Sequence, residues 1–285
     1  MKIARVFADG RSQFTPDDDL AFIGSPGLFP PEVDRVHVSC LMTWNKDKAE
    51  QLAEEWSDVA SVEVGGPAYD WPAGNFEPGM YLKKGYTITS RGCPKKCPFC
   101  FVRRREGTIT TLPIHDGLYV GDNNLLACPH EHVESVFDML DRQKGRPRFH
   151  GGIDVELLKE WHVERLARLK PEKIYIAFDD IKKQEQVRLG LKMMLDGGVR
   201  FGSILCYTLG GYDDDTIDDA ESRCRWLLEH GAIPIAQVFR SYDETKKKPD
   251  PEWQKWRSRW IWIPSIFGRA KAEGMKVYNN GSFKR

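Results

Sequence analysis

The sequence contains no run of 18 apolar residues, which excludes a membrane-spanning helix of ordinary length. It shows no basic segment leading into an apolar one, the pattern of a secretory signal. A soluble, cytoplasmic protein with no membrane partner is therefore the expectation. No repeat and no low-complexity tract is present, which removes solenoids and disordered arrays from consideration. Net charge is also missing, since 42 Lys and Arg balance 42 Asp and Glu. Cysteine is scarce and odd in number: three of the seven crowd into eight residues, while Cys40, Cys128, Cys206 and Cys224 lie far apart. That distribution argues against a disulfide framework and for a ligand set in a reducing compartment.

What is present suits a sizeable core. The chain has 285 residues, 41% of them hydrophobic and 29% charged, enough for one large domain with additions at its ends. Pro, Gly and Asn thicken over 66–79 (GPAYDWPAGNFEPG), a candidate linker. Before it, Val36-His37-Val38-Ser39-Cys40 predicts a strand, Lys46 to Trp56 a helix, and Ser61-Val62-Glu63-Val64 a second strand, a small β-α-β unit within 1–80. After it, β-rich runs recur at Tyr86 to Ser90, Gly117 to Val120, Pro147 to His150, Lys173 to Phe178, Phe201 to Leu209 and Pro234 to Phe239. Helical stretches separate them, notably Val155 to Leu169, Lys183 to Leu195 and Asp214 to His230, long enough to serve as crossovers in a parallel sheet. The fold class expected is α/β, with chemistry at the C-terminal ends of the strands. Residues 81–244 form the central domain on this scheme, and 245–285 a tail with eleven Lys and Arg against three acids.

The first of these strands runs straight into Arg91-Gly92-Cys93-Pro94-Lys95-Lys96-Cys97-Pro98-Phe99-Cys100. A zinc site is one reading, although structural zinc asks for four ligands and no second C-x-x-C knuckle or His pair follows. The other is a cubane cluster, in which three thiolates of Cys93, Cys97 and Cys100 each hold one iron and leave the fourth open. Lys95 and Lys96 would make the local field positive, or are simply solvated.

The C-x3-C-x2-C spacing with Phe99 before its last cysteine resembles the signature of the radical S-adenosylmethionine (radical SAM) superfamily. The resemblance implies a partial (β/α)6 TIM-like barrel, a [4Fe-4S] cluster, S-adenosylmethionine as cofactor, and an external electron donor of the flavodoxin or ferredoxin type. It also implies residue roles. Gly121, Asp122 and Asn123, after the second strand, stand where the family receives the cofactor's amino group, though the run departs from the common Gly-Gly-Glu and also suits a turn. Asp179, after the fourth strand, is placed to meet the ribose, or caps a helix. Gly210, ending the fifth, is placed near the adenine. Arg240, ending the sixth, is placed to meet a carboxylate or to pair with acids of the sheet. Asp154 is expected to cap the following helix, as is the run Asp213-Asp214-Asp215-Thr216, which lacks the ligand spacing of a calcium loop. Cys128 reads as packing or a substrate-side thiol, and His130 and His132 as surface or cap residues.

The N-terminal unit, through Val64-Gly65-Gly66-Pro67-Ala68, resembles a shortened, degenerate cobalamin-binding-type domain, but no Asp-x-His-x-x-Gly motif for cobalamin is present. The tail interleaves Trp253, Trp256, Trp260 and Trp262 with Lys255, Arg257 and Arg259. This suits either nucleic-acid contact or an amphipathic helix packed on the sheet. The expected activity is reductive cleavage of S-adenosylmethionine to a 5'-deoxyadenosyl radical, which takes hydrogen from a small molecule, nucleoside or nucleic acid. The competing expectation is a non-catalytic iron-sulfur or zinc protein that binds nucleic acid through the tail.

Overall fold

A computed structural model describes residues 1–70, 74–241 and 250–279. The N-terminal unit is larger than a β-α-β. Strands β1 (Ile3–Phe7), β2 (Ala21–Phe22), β3 (Arg35–Ser39) and β4 (Ser61–Gly65) form one parallel sheet in the order β2-β1-β3-β4, with α1 (Lys46–Trp56) as the crossover between β3 and β4. Ala49, Leu52 and Trp56 recur at helical spacing and bury themselves against Val36 and Val38. Strand β1 is masked in the sequence by Arg5, a charge in a buried strand. Its guanidinium escapes to Asp18 and to the carbonyls of Gly79 and Met80, at 2.9 and 3.0 Å, so no buried charge is left unpaired.

The second unit runs β5 (Tyr86–Thr87), β6 (Ser90–Arg91), α2 (Val102–Glu106), β7 (Thr110–Thr111), β8 (Tyr119–Val120), α3 (His130–Asp141), β9 (Arg148–Phe149), α4 (Glu160–Leu169), β10 (Lys173–Ala177), α5 (Gln184–Asp196), β11 (Ile204–Gly210), α6 (Ile217–His230) and β12 (Ile233–Val238). All six expected strands are present and hydrogen-bond in parallel in strict sequence order, β5-β8-β9-β10-β11-β12. The α/β class and the parallel order are as expected, and among the described residues β5 and β12 do not pair with each other, so the sheet is open. Short helices and strands also replace longer expected ones. The stretch 155–169 breaks because Asp154 Oδ1 accepts from the Glu156 amide at 3.1 Å and closes one tight turn before α4 begins.

Helices α3 to α6 cover one face of this sheet. Phe137, Leu166, Leu191, Met194 and Leu227 pack there against Val120, Phe149, Ile174, Ile176 and Cys206. The C-terminal tail is part of this architecture. Helices α7 (Pro251–Arg259) and α8 (Ile263–Ala272) dock on β11, β12 and α6, where Trp256 and Trp260 are 1% and 0% exposed. The packing reading of the tail holds for these tryptophans, while Lys246 to Lys248 and residues 280–285 lie outside the described residues. Among the described residues no helix is long and apolar enough to cross a membrane.

Candidate functional site

The cysteine loop is shaped by backbone constraints before any side chain acts. Strands β6 and β7 pair antiparallel, Arg91 opposite Thr110, and clamp the loop's two ends. Gly92 sits at φ +81°, and a Cβ there would lie 1.8 Å from the Thr108 carbonyl oxygen, so only glycine closes this clamp. The Cys93 amide donates to the Gly107 carbonyl at 3.2 Å, the Cys100 amide to the Cys97 carbonyl at 3.1 Å, and Arg103 Nη1 to the Pro94 carbonyl at 3.0 Å. The result holds Cys93 and Cys97 half-buried and Cys100 exposed. Burial raises the thiol pKa of Cys97 and of Cys100. The neighbouring cysteines and Asp179 add to it, while Lys183 opposes it at Cys97.

Asp122 spends its carboxylate inside the fold. It is 2% exposed, and its carboxylate accepts from the Thr89 amide at 2.7 Å, from Thr89 Oγ1 at 2.6 Å and from Ser90 Oγ at 2.7 Å. The acid expected to receive an amino group instead ties the end of β8 to the segment entering the cysteine loop. Burial raises its pKa against those three hydrogen bonds. Gly121 donates its amide to the Thr87 carbonyl at 2.9 Å as part of the same junction.

The next two residues take the position Asp122 vacates. Asn123 is half-buried with its Oδ1 lacking a partner. Asn124, absent from the expected site, is 5% exposed; its Nδ2 lies 3.5 Å from Cys93 Sγ and 3.1 Å from Asp154 Oδ2, and its Oδ1 is buried without a partner. A buried amide oxygen without a donor costs about 1–3 kcal/mol, and here two lie side by side at one strand end. The Asp-Asn-Asn run carried the signal, but nothing in it said which of the three turns inward.

Lys95 is not a free cation in the loop. It sits 3.2 Å from Asp154 and 2.6 Å from Glu156, which also holds Lys183 at 2.7 Å. Asp154 thus caps its turn as expected and also anchors Asn124 and Lys95. Asp179 accepts from the Leu209 amide at 2.8 Å through Oδ1, while Oδ2 has no protein donor among the described residues. Burial pushes its pKa up to about 6, with Asp215 adding to this and the Leu209 bond, Arg223 and Lys183 opposing it.

Three expected residues have other neighbours. A Cβ on Gly210 would lie 2.5 Å from Trp253 and 2.7 Å from Trp256, so this glycine makes room for α7 and not for an adenine on that side. Arg240 stacks its guanidinium 4.5 Å from the ring centre of Trp44, in the N-terminal unit, rather than meeting acids of the sheet. Phe99 packs edge-on against Tyr212, with ring centres 5.4 Å apart, and Tyr212 against Phe239, which fixes the loop over the ends of β11 and β12. Cys128 is buried and its thiol pushed up to about 11, an inert packing residue. His130 is exposed, and His132 Nε2 lies 3.3 Å from Thr89 Oγ1 at the edge of the Asp122 network. Thr216 caps α6 with Asp219, and Asp215 pairs with buried Arg223, which accounts for that acidic run without a cation.

No family model and no curated protein matches the chain. Among solved structures, a cobalamin-dependent S-adenosylmethionine radical enzyme, OxsB, with aqua-cobalamin and S-adenosylmethionine bound, aligns at 11% identity and a TM-score of 0.43. The alignment covers 86% of this chain and 48% of that one, so the chain spans about half the length of that protein. At that TM-score the likeness carries neither a fold nor a function.

Proposed function

We propose that this chain is a radical S-adenosylmethionine enzyme, and that Cys93, Cys97 and Cys100 hold a [4Fe-4S] cluster with one iron open to the cofactor. The observation that carries this is the pairing of a three-cysteine loop, at the end of the first of six parallel strands, with orphaned buried amide oxygens at the end of the second. The donor set suits a cubane better than a single ion. Structural zinc asks for four ligands, and no second C-x-x-C knuckle or His pair accompanies the three cysteines. A cubane takes each thiolate on a separate iron.

When bound, the cluster supplies the electron that cleaves the cofactor's carbon–sulfur bond and releases a 5'-deoxyadenosyl radical. The chain's own residues prepare for this. Asn123, expected in this role with Gly121 and Asp122, and its neighbour Asn124 offer unpaired carbonyl oxygens to an ammonium group. Asp179 keeps one oxygen for a hydroxyl donor. Asn124 Nδ2 directs an N–H at Cys93 Sγ, and hydrogen bonds to cluster sulfurs favour the reduced state. Phe99, packed edge-on against Tyr212, ties the loop to the residues that follow β11. The electron comes from a flavodoxin- or ferredoxin-type donor, and the hydrogen from a substrate held on the same sheet.

The test is anaerobic reconstitution with iron and sulfide, followed by dithionite reduction with S-adenosylmethionine and chromatography for 5'-deoxyadenosine. Matching iron and sulfide content with 5'-deoxyadenosine formation is the expected result. A zinc-only protein that never forms it would overturn the proposal.

A further inference from the structure

The face of the six-stranded sheet turned away from α3 to α6 carries a row of rings, one from each of five adjacent strands. They are Tyr86 on β5, Tyr119 on β8, His150 directly after β9, Tyr175 on β10 and Tyr207 on β11. Each alternates with a residue of the helix-packed core, among them Val120, Phe149, Ile174 and Cys206, so the two-residue period of a strand puts the rings on the opposite face. Neighbouring rings lie 4.7, 5.9, 5.8 and 4.8 Å apart between centres along the row. Phe14, from the N-terminal unit, meets it edge-on at Tyr86 and His150, at 5.4 and 5.7 Å.

The enclosed face of a parallel α/β barrel is ordinarily filled by branched aliphatic side chains. Here the rings spend their faces on one another and present their polar ends. Among the described residues none of the four phenol hydroxyls has a protein hydrogen-bond partner, and His150 Nε2 has none either. Burial raises the pKa of Tyr86, Tyr175 and Tyr207, the last to about 12. Burial, with Arg148 and Lys173, lowers that of His150. The cations that bear on the row are Arg148, 5.2 Å from the Tyr119 ring centre and committed to Glu172, Lys83, paired with Asp17, and Lys173 beside His150.

We infer that this row is a recognition wall for an uncharged, polyhydroxylated substrate of the sugar or cyclitol class, whose hydroxyls exchange hydrogen bonds with the phenols and with His150 Nε2. Its chemistry rests on the radical-enzyme proposal for the cysteine loop; its binding does not. Phenols repeated on adjacent strands, with ring centres 4.7 to 5.9 Å apart, offer a polyol several neutral donors and acceptors. Phe14 adds an apolar patch for the C–H face of such a ring.

The experiment is saturation-transfer NMR on the anaerobically reconstituted full chain, with myo-inositol and D-glucose as probes and citrate and adenosine monophosphate as charged comparators. Tyr175→Phe and Tyr207→Phe keep the stack and delete one hydroxyl each, and their melting temperatures report whether the fold is intact. The expected result is polyol binding by the parent chain, weakened about tenfold in each variant, as loss of one hydrogen bond in a shielded site predicts. Absence of polyol binding, equal binding by folded variants, or displacement by the anions overturns the inference. Iron content and substrate-free 5'-deoxyadenosine are measured on the same samples. If both persist without polyol binding, only the wall is wrong; if both fail while polyol binding and its hydroxyl dependence remain, only the radical proposal is wrong.

Discussion

The cysteine loop and the tryptophan-bearing helices at the C-terminus are built in opposite ways. Around Cys93, thiols are partly open to solvent, two amide oxygens lack donors, and a glycine is forced by a carbonyl. Around Trp260, the indole is fully buried, its Nε1 donates to Glu221 Oε2 at 2.7 Å, and Arg269 covers its face at 4.0 Å. Orphaned polar atoms occur in both regions, since Trp256 Nε1 and Arg269 Nε and Nη1 also make no hydrogen bond. Both regions look functional as strings of letters. The difference is that the loop sets two orphaned amide oxygens beside three accessible thiols, whereas the tail sets its orphans among buried indoles.

Substitutions in the two regions should therefore separate activity from stability. The largest effect is on the loop: Cys97→Ala should abolish cluster retention and reduce 5'-deoxyadenosine to background, with unfolding free energy changed by no more than about 0.5 kcal/mol in the metal-free chain. Iron analysis and chemical denaturation check both halves, and a variant that keeps its cluster breaks the comparison. On the other side, Trp260→Ala should cost about 3–5 kcal/mol, the usual range for emptying a buried tryptophan site. Iron bound per folded chain should stay constant there. Reduced iron loading in folded Trp260→Ala protein would show that the tail reaches the site after all.

How much of this was readable in advance depends on what fixes each feature. The six strands of the second unit were legible because apolar runs and crossover helices alternate, and sequence order then became spatial order. Strand β1 was not, because Arg5 interrupts its apolar run, and Asp18 together with the carbonyls of Gly79 and Met80, over seventy residues away, makes that charge tolerable. The cysteines were legible from spacing alone. Their support was not: Asp122, Asn123 and Asn124 follow one another past a strand end, where no period dictates direction, and the hydroxyls of Thr89 and Ser90 decide that Asp122 turns to the core. Gly210 announced a close approach but not its side, which the tryptophans of α7 occupy.

The same junction sharpens the comparison at smaller scale. Asp122→Ala strands three donors in a buried site and should cost about 1–3 kcal/mol while loosening the entry to the loop. Asn124→Ala removes an oxygen that has no partner to lose, and should be milder on the denaturation curve. In loaded protein it should shift the cluster potential downwards through the lost N–H to Cys93. Equal destabilisation by the two would mean that the orphaned oxygen is satisfied in solution by something other than a ligand.

The smallest effect concerns a histidine on the structural side of the contrast. His162 is 3% exposed at the start of α4, its Nδ1 accepts from the Lys159 amide at 3.0 Å, and burial, with Lys159 and His130, lowers its pKa to about 4. The folded chain therefore refuses a proton that the unfolded chain takes up near pH 6.5, so this contribution to stability is present above that pH and is lost as the pH falls towards 4. One unit below the unfolded value the loss should be on the order of 1 kcal/mol, since each unit of difference is worth 1.36 kcal/mol. His162→Gln keeps a side-chain acceptor that can serve the amide and has no proton to gain. The gap between its stability and that of the parent chain should therefore move in the variant's favour as the medium is acidified from neutral. A gap that stays constant over that range would mean that His162 takes up its proton at the same pH in the folded and the unfolded chain, so that its burial leaves no mark on its titration.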